Sequence, residues 1–363
     1  MPKVTTLDDV KCAASNTRMS PPWDGYSVEL RRAYEGDVVL VEALGDSGAY
    51  AEVENADGRS EALYAGDKFI SVLGNRQSSK YLCGAVPREG IDLGPDTELH
   101  LLSNGGIVGI AEKSPDYLCP PLALRCHGVL MLNGRPVNTI DRAVSGPTGA
   151  VRPIILVAAS STDAGKTTLA SRLVASLTHD HGLQVAAAKL AGTGCLEDIL
   201  RHRDAGARWI ADFPDAGLPS TYTDAAKYRP AVRSVLDRLA VEEPDVIVAE
   251  LGGDLIWANI PTLLTMPEVM DSVLSLVIIP ADVLSAIGAE LLLNEWGVSV
   301  PIVWVAPPTQ NPVSFRLRMD AHVPGKLIDA RSREDIRSLA TRFATDLKDR
   351  AGEIAGDGGG LRV

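Results

Sequence analysis

The stretch I-I-L-V-A-A-S-S-T-D-A-G-K-T-T-L-A-S-R at residues 154–172 decides the fold. A β-branched, apolar run (154–158) gives way to a short polar turn. The turn ends in Gly165-Lys166-Thr167-Thr168 and opens a segment with Leu169, Leu173, Val174 and Leu177 at helical spacing. That order predicts strand, phosphate loop, helix. In such a loop the backbone of Thr162, Asp163, Ala164, Gly165, Lys166, Thr167 and Thr168, at a helix N-terminus, cradles anionic phosphate oxygens. Lys166 is placed to reach the β- and γ-phosphates of a nucleotide, and the Thr167 hydroxyl to ligate Mg²⁺. Ser160 stands where the G-x-x-x-x-G-K-[ST] pattern has its first glycine, so the strand before and the helix after carry the assignment.

Outward from the loop, apolar runs at 184–190, 245–250, 274–280 and 301–306 alternate with helical segments at 166–178, 225–242, 282–296 and 331–349. Buried strands joined by helical crossovers predict a doubly wound, mostly parallel α/β domain. The chain before it differs. Short runs at 37–43, 68–73, 98–102, 107–111 and 123–132 are separated by turns such as Gly45-Asp46, Gly74-Asn75 and Asn133-Gly134. These predict a small, mostly antiparallel β-rich domain, a barrel or a sandwich. Residues 1–36 have weak periodicity and are expected as a partly ordered N-terminal arm. The Gly/Pro/Ser stretch 143–152 is expected as a linker. The expected division is a β-rich domain with its arm at 1–148, a P-loop NTPase domain at 149–350 and a disordered tail at 351–363.

The chain has 363 residues, room for two domains. A formal net charge of −12 argues against nucleic acid or an anionic membrane as a main partner. No apolar run approaches the ~20 residues that span a bilayer, and M-P-K-V-T-T-L-D-D-V has no signal-peptide core. A cytoplasmic location is expected, compatible with a homodimer. The five cysteines are odd in number and irregularly spaced, which suits neither a disulfide framework nor a zinc site. Cys195 stands apart because it follows a candidate active-site loop.

In open parallel sheets ligands bind beyond the carboxyl ends of the strands, so the residues after each run matter most. After residues 184–188 come Lys189-Leu190-Ala191-Gly192-Thr193-Gly194. A lysine there can stabilise charge on a transferring phosphoryl group, and Gly192 and Thr193 are candidate substrate contacts. After residues 245–249 come Glu250-Leu251-Gly252-Gly253-Asp254. Glu250 is a candidate Mg²⁺ partner with Thr167 and Asp163. Gly252 and Gly253 allow close backbone approach to a ligand, and Asp254 fits a helix cap as well as a catalytic role. The polar loop 212–223 is expected to cover the site or bind substrate through Asp215, Ser220 and Thr221. Between them, residues 195–207 form a helix with Leu196, Ile199 and Leu200 on its buried face. Arg201 and Arg203 are near enough in sequence to contact an anionic ligand.

Together, T-D-A-G-K-T at 162–167, K-L-A-G-T at 189–193 and E-L-G-G-D at 250–254 resemble the dethiobiotin synthetase group of P-loop enzymes. The resemblance implies Asp163 as the acidic loop residue, Lys189 as the catalytic lysine beside Lys166, Thr193 as the hydroxyl after it and Glu250 as the Mg²⁺-linked carboxylate. It implies ATP and Mg²⁺ as cofactors and a small carboxylated or carbamate-like substrate activated as a mixed phosphate anhydride. Leu190 replaces that group's proline, its third motif is one residue longer, and it has no β-rich N-terminal domain. The lysine of the deviant phosphate loop of partition ATPases would fall at Ser160, which disfavours that subgroup. The loop, Lys189 and R-H-R-D-A-G-A at 201–207 are also similar to the accessory GTPase of molybdopterin-guanine dinucleotide assembly. No N-K-x-D guanine motif follows the last strand, which ends V-W-V-A-P-P-T-Q-N at 303–311 and favours adenine.

Two function classes follow. One is a Mg²⁺-dependent, ATP-using ligase or phosphotransferase acting on a small carboxylated metabolite. The other is an NTP-hydrolysing accessory or regulatory protein acting on a protein partner. Lys189 and the glycine-rich loops suit chemistry on a second ligand and favour the enzyme. The absence of His/Cys clusters argues against metal delivery.

Overall fold

A computed structural model describes residues 7, 9–144, 152–323 and 325–357, with side chains described up to 350. Most of the expected linker, 145–151, lies outside the described residues. The chain forms two compact units. The first comprises Met1–Ser145, Ala191–Asp198 and Asp212–Val235; the second comprises Gly146–Leu190, Ile199–Ala211 and Leu236–Val363.

The first unit carries strands β1 (Val10–Ala13), β2 (Tyr26–Glu29), β3 (Arg32–Ala33), β4 (Val38–Ala43), β5 (Glu52–Glu54), β6 (Ser60–Ala62) and β7 (Lys68–Leu73). They are followed by β8 (Arg76–Gln77), β9 (Cys83–Ala85), β10 (Ile91–Asp92), β11 (Glu98–Leu101), β12 (Ile107–Ala111), β13 (Ala123–Leu132) and β14 (Arg135–Pro136). Five of them close on themselves in the order β7-β4-β13-β11-β12 and back to β7. Of the two architectures expected, the barrel is the one formed. Four of its pairings are antiparallel. The closing pair is parallel, with Ile107 opposite Val72 and Val108 opposite Leu73. Closure leaves no unpaired barrel edge.

Alternate residues of β4 fall into different buried clusters. Val39 and Val41 join Phe69, Leu99, Leu101, Val108 and Leu124. Val38 and Leu40 join Ile70, Leu130 and Met19, against which Trp23, Tyr26 and Val28 pack. Both faces of β4 are therefore buried, which is why its sequence runs V-V-L-V without polar alternation. This corrects the expected arm. Residues 10–33 are built into the unit: β1 pairs parallel with β7, β2 antiparallel with β13 and β3 with β10. Strands of two to four residues are too short to show a period, and their register comes from the strands they join. Gly128 of β13 sits at the register shift against β4 with φ +138°, and a Cβ there would lie 2.6 Å from the Glu29 carbonyl oxygen of β2.

The second unit is the expected doubly wound α/β domain. Its strands are β15 (Ile154–Ala159), β16 (Val185–Ala191), β17 (Trp209–Asp212), β18 (Val246–Leu251), β19 (Val273–Ile279), β20 (Ile302–Ala306) and β21 (Lys326–Asp329). They form one sheet in the order β17-β16-β18-β15-β19-β20-β21. β15 pairs parallel with both β18 and β19, and β19, β20 and β21 continue parallel. The chain leaves β15 for β16 on one side and later returns to β19 on the other. The phosphate loop thus springs from the strand at which the winding reverses. The helices of the chain are α1 (Lys166–His179), α2 (Leu196–Asp204), α3 (Ala225–Ala240), α4 (Ile260–Leu264), α5 (Pro267–Met270), α6 (Val283–Glu295), α7 (Pro312–His322) and α8 (Arg333–Asp357), the start of α2 and most of α3 belonging to the first unit. β17, β21, α4, α5 and α7 are additions to the elements expected. α8 continues through Asp357, into the region expected as a tail, and residues 358–363 lie outside the described residues. No helix among the described residues is long and apolar enough to cross a membrane.

Candidate phosphate-binding site

β15 is buried along its whole length, and the chain must leave the sheet at Ser160. The turn that follows needs two residues with positive φ, Asp163 at 60° and Gly165 at 96°. Gly165 precedes the first residue of α1, and no heavy atom lies within 4 Å of a Cβ built there. Asp163 is a non-glycine residue in the left-handed region, which a short polar side chain tolerates better than most. Ser160 has its own role: its N–H donates to Ile279 O at 3.2 Å and its hydroxyl accepts from Ala281 N at 2.8 Å, fastening the loop's start to the end of β19. The side chain that breaks the glycine pattern is therefore a tether. Leu169, Ala170, Leu173, Val174 and Leu177 bury one face of α1 and set the direction of its N-terminus. Thr168 is exposed, while Thr162 and Ala164 are half-buried along the turn.

Four expected residues meet at this end of the sheet. Lys166 is 6 % exposed, and its ammonium donates to Ser161 O at 3.1 Å and Gly253 O at 2.7 Å. The Thr167 hydroxyl donates to Glu250 Oε1 at 2.9 Å. Lys189 is 4 % exposed and acts electrostatically on both Lys166 and Glu250. Lys189 and Glu250 lie inside β16 and β18, each of which runs past the end of its apolar sequence run. Burial, reinforced by Lys189, lowers the Lys166 pKa against the pull of Glu250, Asp163 and Asp254. For Glu250 burial works the other way, but the His202 hydrogen bond and the two lysines outweigh it and hold its carboxyl below the ordinary range. Burial raises Asp254 despite a backbone N–H from Ile256 and the nearby Lys166. Its Oδ1 is buried without a hydrogen-bond partner. Asp163 is exposed and enters as one of the charges acting on Lys166.

Two ammonium groups, a helix N-terminus and a hydroxyl beside a carboxylate can hold a polyphosphate and a hard cation. The hydroxyl–carboxylate pair suits Mg²⁺, which takes one or two carboxylates and completes its octahedron with phosphates and water. Among the described residues no cluster of three or more His, Cys, Asp or Glu offers a site independent of a nucleotide.

The expected substrate contacts divide. Gly253 presents its carbonyl to Lys166, and Gly252 is buried beside it. Gly192, Thr193, Ser220 and Thr221 instead hold the first unit together. Gly192 N–H donates to the Thr221 hydroxyl at 2.8 Å, Thr221 N–H donates to Gly192 O at 2.9 Å, and Thr193 bridges to Ser220. Ser220 and Thr221 are fully buried, and the Ser220 hydroxyl has no hydrogen-bond partner among the described residues. The loop after β17 is ordered by a capping box between Asp212 and Asp215, and Arg18 bridges both carboxylates at 2.5 and 2.9 Å. Its polarity serves packing.

Sequence reasoning missed two residues. His202 is fully buried on α2, with Nε2 3.2 Å from Glu250 Oε2 and Nδ1 3.0 Å from Ser171 Oγ. The signal was present: His202 lies three residues after Ile199, on the same helical face, between the exposed Arg201 and Arg203. Glu54, buried in the first unit, accepts from the backbone N–H groups of Leu196 and Glu197, each at 2.6 Å, and from the Ser15 hydroxyl. The Cys195 thiol donates to it at 3.4 Å. It caps α2 from far away in sequence, and no local pattern announces it.

No family model matches the chain, and no curated protein matches it. Solved structures do. HypB from Helicobacter pylori, crystallised in complex with nickel, shares 13% identity over 55% of this chain and 89% of its own, with a TM-score of 0.37. A ParA family ATPase from Chlorobium tepidum TLS shares 14% identity over 52% of this chain and 99% of its own, with a TM-score of 0.35. The signal recognition particle 54 kDa protein of Aeropyrum pernix K1, in complex with GDP, shares 18% identity over 58% of this chain and 50% of its own, with a TM-score of 0.35. The second unit, with its phosphate loop between β15 and α1 and its parallel sheet, has the P-loop NTPase fold.

Proposed function

We propose that the protein is a Mg²⁺-dependent, ATP-using enzyme that transfers the γ-phosphoryl group to a carboxylate-like group of a small metabolite. The dethiobiotin synthetase group, which its three motifs resemble, carries out that class of reaction. One observation supports this reading above others: a second buried lysine, Lys189, stands with Lys166 around Glu250. Lys166 alone serves the bound phosphates in the ground state. A second ammonium, kept dry at a desolvation cost of several kcal/mol, is suited to charge that develops during transfer.

When bound, the nucleotide would supply the phosphoryl group and Mg²⁺ would supply positive charge against its phosphates. The chain's own residues do the rest. The loop's N–H groups orient the phosphates, and Lys166 holds them from the side of Gly253. Thr167 and Glu250 present oxygens to the cation. The acceptor carboxylate, ionised at neutral pH, needs no base: its oxygen bonds the γ-phosphorus as the bond to the β,γ-bridging oxygen breaks and ADP leaves.

The test is nucleotide turnover by the purified chain across a library of small carboxylic acids. The expected outcome is turnover that depends on one such acid and is abolished in a folded Lys166→Ala variant. ATP is expected to bind at least as well as GTP. A tenfold preference for GTP, about 1.4 kcal/mol, with turnover raised only by a protein, would replace this reading with an accessory NTPase.

A further inference from the structure

Glu250 divides its two oxygens between two partners. Oε1 accepts from the Thr167 hydroxyl and Oε2 faces His202 Nε2. An ionised carboxylate only accepts hydrogen bonds, so Nε2 carries a proton and donates. The other ring nitrogen meets Ser171 Oγ at 3.0 Å. Thr167 and Ser171 are four residues apart on α1 and share one helix face. α1 therefore grips the same carboxylate twice, directly through Thr167 and through the imidazole by way of Ser171.

We propose that His202, held by Ser171, is a positioning residue that orients the Glu250 carboxylate toward the divalent cation bound with the nucleotide. The proposal rests on the reading of this loop as a Mg²⁺–nucleotide site. A ring bonded at both nitrogens cannot turn without breaking a bond. A fully buried imidazole has no water to replace either partner, so each lost bond leaves a buried polar group unsatisfied. With Oε2 committed to His202, the carboxylate cannot swing away from Thr167, and the donated Thr167 O–H leaves that hydroxyl's lone pairs for the cation. A core histidine that merely satisfied its polarity would need no particular acceptor. Here the acceptor is the carboxylate that takes the hydrogen bond of the phosphate-loop threonine.

The experiment measures Mn²⁺ binding by electron paramagnetic resonance in the presence of a non-hydrolysable ATP analogue, and analogue binding alone in EDTA. In wild-type protein Mn²⁺ binds with the analogue. His202→Ala is expected to weaken Mn²⁺ by about 10–100-fold, the usual effect of removing a partner behind a metal ligand, with analogue affinity in EDTA unchanged. His202→Gln keeps a donor near the Nε2 position and is expected to recover most of that loss. Ser171→Ala is expected to weaken Mn²⁺ by about fivefold, the worth of one ordinary hydrogen bond. If the alanine variant fails to fold, the glutamine and Ser171 variants still decide. Wild-type Mn²⁺ affinity in folded His202→Ala, or a glutamine variant no better than alanine, overturns the positioning role. If the wild type binds no Mn²⁺ with the analogue, the phosphate-site reading fails and this proposal with it. If Glu250→Ala abolishes Mn²⁺ binding and no His202 or Ser171 variant affects it, this proposal alone fails.

Discussion

Buried charges in the two units keep different company. In the first unit they sit against opposite charge or backbone donors: Glu54 receives two helix N–H groups, and Arg18 bonds both Asp212 and Asp215. In the second unit two like charges, Lys166 and Lys189, are buried around one carboxylate, and burial, with Lys189 adding to it, lowers the Lys166 pKa. Unpartnered buried oxygens do not separate the units: among the described residues the Ser71 and Ser220 hydroxyls of the first have no hydrogen-bond partner, and neither has Asp254 Oδ1 of the second. Charge paired with its opposite holds architecture, and like charges buried together suit the binding of a ligand of opposite sign.

The largest expected effect separates the two uses directly. Arg18→Met leaves the buried Asp212 carboxylate without its guanidinium and should cost about 3–5 kcal/mol of stability in urea unfolding. A loss below about 1 kcal/mol would show that this pair is not structural and break the contrast. Next comes Lys189→Ala. It should lower turnover about 10²–10³-fold while nucleotide affinity changes only a few-fold, since the contact acts on developing charge. Arginine should rescue poorly because its planar fork does not replace a point-like ammonium. Unchanged turnover would make Lys189 a packing residue.

Glu54→Ala removes the cap of α2 and should cost about 2 kcal/mol, read by the same unfolding experiment. The smallest effect has the opposite sign. The Asp254 carboxyl is raised in the fold, so the stability it contributes is present below its unfolded pKa and lost as pH rises through the folded value. Asp254→Asn should therefore melt about 1–3 °C higher than wild type at pH 7, with the gap closing as pH falls to about 4. A variant less stable at pH 7 would place Asp254 among the architectural groups.

The phosphate loop, Lys189, Glu250 and the alternation of runs and helices are local features. A period, a turn residue or a strand-end charge lies within a dozen neighbours and could be read without coordinates. β4, β7, β12 and β13 were legible for the same reason. The short strands of residues 10–33 were not, because their register comes from β7, β10 and β13. The role of the polar loop after β17 was not legible, because hydroxyls and carboxylates that satisfy buried backbone look the same in sequence as those awaiting a ligand.

The sequence by itself determined that strand, phosphate loop and helix follow one another, that a β-rich region precedes them, and which side chains could meet a phosphate. Tertiary structure alone decided that the barrel closes through a parallel β7–β12 pair. It also put His202, 48 residues before Glu250, on that carboxylate, and Glu54, 142 residues before Leu196, on the start of α2. Propensity and periodicity act over one or two turns of chain. Closure, capping from afar and the pairing of buried charges are set by which surfaces must be removed from water together, and that is settled only when the whole chain has folded.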